Sequence, residues 1–146
     1  MTGNTGNTGN SSNASIGPGE GYKRLIVWQN AERLRRMVYL ITARFGSIEF
    51  RRVTQLRDAL RSTKQNIQEG YKSGFLGKYI HHLTISQGSL GEAKGDIDDS
   101  FQDGLITEDE YRQLDKLCGT TDFLINKMIK SMRQAERDGT WKDFNA

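Results

Sequence analysis

The chain has 146 residues, which is about one domain, and its single cysteine, Cys118, rules out an internal disulfide. The lone cysteine makes a reducing compartment the simplest interpretation, so we expect a cytoplasmic protein. No apolar stretch is long enough to cross a membrane, so we expect no membrane partner. The formal charge of +3 hides an asymmetry: residues 23–78 carry thirteen Lys or Arg against four acids, whereas residues 79–146 carry eight against thirteen. This asymmetry suits either a polyanion partner or head-to-tail self-association.

The first 21 residues differ in composition from the rest of the chain. Residues 1–21 are dominated by Gly, Asn, Thr and Ser and contain the triplet Thr-Gly-Asn three times. Because so little apolar surface cannot offset the entropy lost on ordering, we predict a disordered arm over these residues. The folded domain is predicted over residues 22–134, and a flexible tail over residues 135–146.

Two amphipathic helices are predicted after this arm, because apolar residues recur there at steps of three and four. Gly46-Ser47 separates the two segments, and Gly70 is the predicted end of the second. The inner faces are predicted to consist of Trp28, Ala31, Leu34, Val38, Ile41 and Phe45 in the first helix, and of Val53, Leu56, Leu60, Thr63 and Ile67 in the second.

Two further helices are predicted in the acidic half. The inner faces are predicted to consist of Ile80, Leu83, Gln87, Leu90, Lys94, Ile97 and Phe101 in the third helix, and of Tyr111, Leu114, Cys118, Thr121, Ile125, Met128 and Met132 in the fourth. Gln87 and Lys94 are polar residues in a heptad seam, a type that can define register or oligomeric state. Gly104 ends the third helix, and residues 107–110 form a capping box. Four helices with short turns predict an all-α, antiparallel up-down four-helix bundle.

A basic stripe lies beside the apolar face of the second helix. At 100° per residue, Arg57, Arg61 and Lys64 fall on one line and could follow a phosphate backbone, although a merely solvated basic face is an equal alternative. Aromatic residues that could stack on bases are few, with Tyr22, Tyr71 and Tyr79 as candidates. The predicted nucleic-acid-binding residues are Arg33, Arg35, Arg36, Arg51, Arg52, Arg57, Arg61 and Lys64.

Small residues on the second and third helices predict a packing surface. The opposite face of the second helix carries little charge, so we expect another helix or subunit to cover it. Three glycines in the third helix each cost about 1 kcal/mol relative to alanine, which close approach of a neighbouring helix could offset, with a frayed helix as the alternative. The predicted oligomer interface consists of Ala59, Ser62, Asn66, Gly88, Gly91 and Gly95.

The acidic segment from Asp99 to Glu110 partly matches a calcium-binding EF-hand loop. However, Phe101 occupies a position that needs an oxygen ligand, so calcium binding is a minor alternative. His81 and His82 are adjacent and cannot chelate together from one helix, and Cys118 is expected to be an inert core thiol. We therefore predict no catalytic residues, no metal, no cofactor and no enzymatic activity.

Three segments resemble motifs of a known family. Leu25-Ile-Val-Trp-Gln-Asn-Ala31 resembles its "L-x-V-W-Q-x-A" opening. Gln55-Leu-Arg57, with Ser62 and Asn66-Ile-Gln-Glu-Gly70, is similar to its "Q-L-R…S…N-I-A-E-G" signature, and Gln87-Gly-Ser-Leu-Gly-Glu92 to its "x-G-S-L-x-E". The family is that of the 23S rRNA-intervening-sequence proteins, with the accessory variability determinants of diversity-generating retroelements as relatives.

The resemblance implies a four-helix bundle that assembles as a ring-like homopentamer with a basic surface. In the retroelement branch, it implies binding to nucleic acid and to a reverse transcriptase. The first expectation is therefore a homo-oligomeric accessory of a ribonucleoprotein that binds nucleic acid, RNA in preference to DNA, without reading sequence. The alternative is a protein–protein adaptor for a reverse transcriptase.

Overall fold

The computed structural model describes residues 16–141, and within that range the chain forms four α-helices and two short 3₁₀ helices. The α-helices are α1 (Ile26–Thr42), α2 (Phe50–Lys72), α3 (Leu76–Gln102) and α4 (Glu108–Asp138), and the 3₁₀ helices are Gly21–Arg24 and Ser47–Glu49. No strand occurs among the described residues, so the all-α prediction is confirmed. The predictions for residues 1–15 of the arm and 142–146 of the tail lie outside the described residues.

Each helix packs against the next one along the chain, and α1 also packs against α4. This order produces the predicted up-down four-helix bundle, in which consecutive helices run antiparallel. Burying each large apolar side chain of the centre contributes about 1.5–3 kcal/mol. The largest side chains with almost no exposure are Leu34, Leu60, Ile67, Leu83, Leu90, Ile97, Leu114 and Ile125. None of the helices within residues 16–141 is long and apolar enough to span a bilayer.

The pair of α2 and α3 is the most extensive helix contact of the bundle. Small residues at the contact allow the two backbones to approach. The Ser86 hydroxyl donates a hydrogen bond to the Thr63 carbonyl at 2.7 Å, and both side chains are fully buried. At Gly70, an added Cβ would lie 3.1 Å from the Cβ of His82. The two helices therefore pack almost backbone to backbone.

The core-facing stripe of α3 differs from the predicted seam. The prediction placed Gln87 and Lys94 in that seam, but they are only half-buried and flank the core. The prediction was wrong because α2 packs closely against α3, and this close packing needs small side chains such as Ser86 next to the predicted positions. The buried residues of α3 are Tyr79, Leu83, Ser86, Leu90, Ala93, Ile97 and Ser100.

The predicted capping box at the start of α4 is confirmed. The backbone N–H of Glu110 donates to the Thr107 hydroxyl at 3.1 Å, and the Thr107 N–H donates to the Glu110 carboxylate at 2.8 Å. Gly104, with φ of 75°, adopts the left-handed conformation that ends α3. At the other end, α4 continues four residues past the predicted domain boundary at residue 134.

Two arginine–carboxylate pairs join helices at the same end of the bundle. Arg44, after α1, binds the Glu110 carboxylate of α4, with 2.6 Å from Nη1 to Oε2. Arg52 of α2 binds Asp103 at the end of α3, with 2.6 Å from Nη2 to Oδ2. These pairs connect helix ends that are 51 and 66 residues apart in sequence.

Candidate nucleic-acid interface

The predicted nucleic-acid-binding residues occupy three separate places in the fold. The largest set lies along the groove between α1 and α2, and we call it the basic groove. Arg33 lies on the other side of α1, and Arg51 and Arg52 lie at the start of α2. The basic groove contains Arg35, Arg36, Arg57, Arg61 and Lys64.

Glu32 is the centre of the basic groove. Its carboxylate accepts hydrogen bonds from Arg35 Nη2 at 2.6 Å and Arg36 Nε at 2.9 Å, one turn further along α1. Lys64 Nζ reaches the same carboxylate from α2 at 2.8 Å. Three cations thus surround one carboxylate, and the excess positive charge is left facing the solvent.

The surroundings of Glu32 hold its carboxyl ionised. Partial burial disfavours the charged form, but the hydrogen bonds from Arg35, Lys64 and Arg36 outweigh it and lower the pKa of Glu32 to about 2. Across the physiological pH range the carboxylate therefore orients the three cations. It neutralises only one of them.

Arg57 is anchored at the far end of the groove. Its Nε donates to the Thr42 hydroxyl at 3.0 Å, and Nη2 lies 3.3 Å from the Tyr39 carbonyl. The guanidinium also lies over the Tyr39 ring, 4.2 Å from its centroid. None of these partners is an acid, so the charge of Arg57 is not compensated by them.

Arg61 lies between Arg57 and Lys64 on the exposed surface of α2 and has no polar partner within residues 16–141. An arginine with this exposure and no competing ion pair can bind a phosphate without first breaking a contact. The fold therefore places the predicted stripe of Arg57, Arg61 and Lys64 on α2 beside Arg35 and Arg36 on α1. In the described part of the chain, the groove between them contains one carboxylate, that of Glu32.

The other predicted cations do not extend this groove. Arg33 is exposed and lines a cleft between α1 and α4 together with Lys116. Arg52 is paired with Glu49 at 2.8 Å and with Asp103, and Arg51 lies in the same region near Asp96 and Asp99. Acids thus balance the charge at the start of α2, which makes this end a poor phosphate site.

The predicted interface residues of α2 pack within the chain. Ala59 is buried, and the Ser62 and Ser89 hydroxyls form a 2.8 Å hydrogen bond between α2 and α3. Asn66 Oδ1 lies 3.0 Å from His82 Nδ1 on α3. The helix that covers this face is therefore α3 of the same chain. The subunit interface was predicted here because this face of α2 was expected to be uncovered within the chain, and it is not. Contact of these residues with a second subunit stays a prediction.

The glycines of α3 have a different environment. Gly88, Gly91 and Gly95 are exposed, and an added Cβ would meet no atom within 4 Å in the described structure. Their absent side chains are thus not required by packing inside this chain. This is consistent with the predicted approach of a second subunit, which stays a prediction.

An acidic groove lies between α2 and α3. It forms a cleft of about 620 Å³ whose lining includes Asp58, Glu92 and Asp96. Burial and the nearby carboxylates of Asp99 and Glu92 raise the pKa of Asp96. Since α2 contributes to both grooves, its two sides present opposite charge.

The residues of the calcium alternative are used elsewhere. Asp99 and Phe101 lie within α3, and the Phe101 ring stacks on Tyr111 with centroids 4.4 Å apart. Asp103 binds Arg52, and Glu110 binds Arg44. No group of three or more potential ligands that could hold a metal ion occurs within residues 16–141.

Burial also raises the pKa of the Cys118 thiol to about 12, so this thiol is protonated at neutral pH.

Sequence reasoning missed two exposed residues of α1 that border the basic groove. Tyr39 is 53% exposed and Leu40 is 73% exposed. The available signal was the period of the helix, because Tyr39 follows Arg35, and Leu40 follows Arg36, by one turn. Of the aromatic candidates named from sequence, Tyr22 and Tyr79 are buried in the bundle, whereas Tyr71 is 41% exposed near the end of α2.

The comparison with protein families identifies the family of this chain. The family model described as "23S rRNA-intervening sequence protein" matches residues 23–127, which is well over half of the chain. The chain belongs to this family. The match begins at the last turn before α1 and ends within α4, so it covers all residues of the basic groove. No curated protein matches this member of the 23S rRNA-intervening sequence proteins.

Proposed function

We propose that this 23S rRNA-intervening sequence protein is a non-catalytic, cytoplasmic accessory of a ribonucleoprotein that binds nucleic acid phosphates, with RNA preferred to DNA. The observation that carries the proposal is the basic groove, where five cationic side chains from two helices lie together and, within residues 16–141, only one carboxylate, that of Glu32, pairs with any of them. The family match supports RNA as the partner class. Contacts to phosphates of this kind are independent of sequence.

The assembled form belongs to the same proposal. We propose a homo-oligomer, a pentamer in the ring-like form expected from the resemblance, with the exposed glycine face of α3 at the subunit contact. A ring would repeat the basic groove around its circumference. Several weak phosphate sites would then act together, and their combined affinity would exceed that of one subunit.

Salt dependence tests the phosphate contacts. If five cations each displace a counterion, log of the association constant should fall against log of salt concentration with a slope of about −3 to −5 per groove. Fluorescence anisotropy with a labelled 20-nucleotide RNA between low and physiological salt measures this slope. Absence of binding at low salt would refute the proposal.

Charge reversal locates the site. Arg61→Glu should weaken binding about tenfold and make the slope shallower by about 1, because Arg61 is exposed and holds no structural contact in the described residues. Lys130→Glu on α4 is the matched control, since Lys130 is also exposed and lies outside the groove. Equal effects of the two variants would show that only net charge matters.

A protein partner is the second candidate function. The end of the bundle between α1 and α2 exposes Ile48 by 92% and Phe50 by 72%, and these two apolar side chains offer a contact surface to a protein partner. In this form the protein would act as an adaptor for a reverse transcriptase. A pull-down with the purified polymerase, repeated with Ile48→Asp, tests the adaptor role, and retention of the variant at wild-type level would contradict it.

A further inference from the structure

An exposed aromatic ring borders the basic groove. Tyr39 lies on α1 with about half of its surface exposed, and Leu40 beside it is 73% exposed. Val38 and Thr42 form the buried face of this part of α1. The core therefore does not depend on the side chains of Tyr39 and Leu40. Their position beside the cations of the groove places apolar contact surface next to phosphate-binding charge.

Arg57 holds one face of the Tyr39 ring. The guanidinium carbon lies 4.2 Å from the ring centroid, and its hydrogen bonds to Thr42 and to the Tyr39 carbonyl hold it there. Thr42 is itself anchored, because its hydroxyl donates to the Val38 carbonyl at 2.7 Å. The ring is therefore restrained before any ligand arrives, which lowers the entropy cost of stacking on it.

The space beside the ring is open. A depression of about 310 Å³ is lined by Arg35, Arg36, Tyr39 and Leu40. The guanidiniums of Arg35 and Arg36 bind Glu32, one turn towards the start of α1. They are thus drawn away from Tyr39 and Leu40, and they border the depression with positive charge.

We infer that Tyr39 is a stacking platform for an unpaired base, so that the basic groove binds single-stranded nucleic acid in preference to a duplex. This inference rests on the proposed function, because the same cations would hold the phosphates on either side of the base. A base in a duplex is covered on both faces by its neighbours, whereas an unpaired base can leave the stack and lie on an aromatic ring. Stacking accepts every base, so the groove gains strand selectivity without sequence selectivity.

The test compares one RNA in two forms. A labelled, unstructured 20-nucleotide RNA and the same strand annealed to its complement are titrated by fluorescence anisotropy at matched salt. Stacking on one aromatic ring predicts about fivefold or greater weakening of single-strand binding by Tyr39→Ala, with little change for the duplex. Tyr39→Phe keeps the ring and should bind as the wild type does.

The controls separate stacking from charge and from folding. Phe123→Ala removes another exposed aromatic with a lysine over its ring, Lys127 at 5.6 Å, but on α4 outside the groove, and it should leave binding unchanged. Tyr39→Ala should also keep the salt slope of the wild type, because no phosphate contact is lost. Circular dichroism checks that each variant is folded.

Two results would overturn the inference and leave the proposed function intact. One is equal affinity of the wild type for the single strand and the duplex. The other is a Tyr39→Ala variant that weakens both forms to the same extent, which would mean that the ring only positions Arg57. Failure of the wild type to bind either RNA at low salt would instead overturn the proposed function itself.

Discussion

Glu32 determines the charge arrangement of the basic groove. Its carboxylate binds Arg35, Arg36 and Lys64 at 2.6–2.9 Å, so one acid holds together three cations that would otherwise repel one another. The same carboxylate also repels phosphate. Stability and binding therefore place opposite demands on this residue.

Substitution of Glu32 by Gln should lower stability and raise affinity. The folded-state pKa of Glu32, about 2, is below its ordinary value of 4.5. Ionised Glu32 therefore stabilises the fold above about pH 4.5, and this contribution is lost as the pH falls towards 2. At pH 7 the variant should lose about 1–2 kcal/mol of unfolding free energy, and its RNA affinity should rise up to about fivefold.

Urea denaturation at pH 7 and at pH 3 measures the first effect, and anisotropy at low salt measures the second. The stability difference between wild type and variant should shrink at the lower pH. Glu136→Gln, an exposed position on α4, serves as the control for loss of one negative charge. A variant with reduced RNA affinity would contradict the role assigned to Glu32.

The helices of this bundle differ in how much their own sequence defines their ends. At the start of α4, Thr107 and Glu110 cap one another, and Glu110 also binds Arg44. The hydrogen bonds from Arg44 lower the pKa of Glu110 to about 2, despite some desolvation. The capping box thus both begins α4 and attaches it to the end of α1.

Removal of the Thr107 hydroxyl should destabilise the bundle. Thr107→Ala leaves the Glu110 N–H without its acceptor and should cost about 1 kcal/mol. Thr84→Ala on α3 is the matched control, because its hydroxyl is exposed and bonds only the Ile80 carbonyl within the same helix. That control should be neutral or slightly stabilising in urea denaturation. Equal losses in the two variants would show that the cap contributes nothing specific.

At the scale of the whole molecule, charge is separated across α2. The basic groove lies on its side towards α1, and the acidic groove with Asp58, Glu92 and Asp96 lies on its side towards α3. The exposed glycines of α3 lie next to this acidic groove. Each of Gly88, Gly91 and Gly95 directly precedes a residue that lines it, namely Ser89, Glu92 and Asp96. A subunit that approached the glycine face would therefore leave the basic groove accessible to nucleic acid.

Bulk added to the glycine face should separate the subunits without unfolding them. Inside one chain, a Cβ added at Gly88 or Gly95 has open space around it, and Gly88→Leu with Gly95→Leu removes two poor helix formers, so helicity should be kept or increased. We expect analytical ultracentrifugation to show a smaller species than the wild-type oligomer. Gly77→Leu, another exposed glycine with open space around it, should not change the mass. An unchanged mass of the double variant would exclude this face as the subunit contact.

The sequence alone determined the number of helices, their approximate limits and the bundle, because helical periodicity, glycine stops and a capping box are local features. Its motifs also indicated the protein family, which the match to the family model then established. The buried stripe of α3 could not be predicted in the same way. Positions such as Ser86 and Ala93 become core only because α2 approaches closely, and periodicity carries no information on that distance.

The sequence also identified the cations of the candidate site, but only the tertiary structure decided how they are combined. Glu32 and Lys64 are 32 residues apart, and their ion pair exists because α1 and α2 lie side by side. The same packing brings Arg57 over Tyr39, whereas the packing of α2 against α3 pairs Arg52 with an acid at the end of α3. Local sequence gives each side chain its place on a helix. Which charges remain uncompensated depends on which helix faces which, and that is a property of the folded bundle.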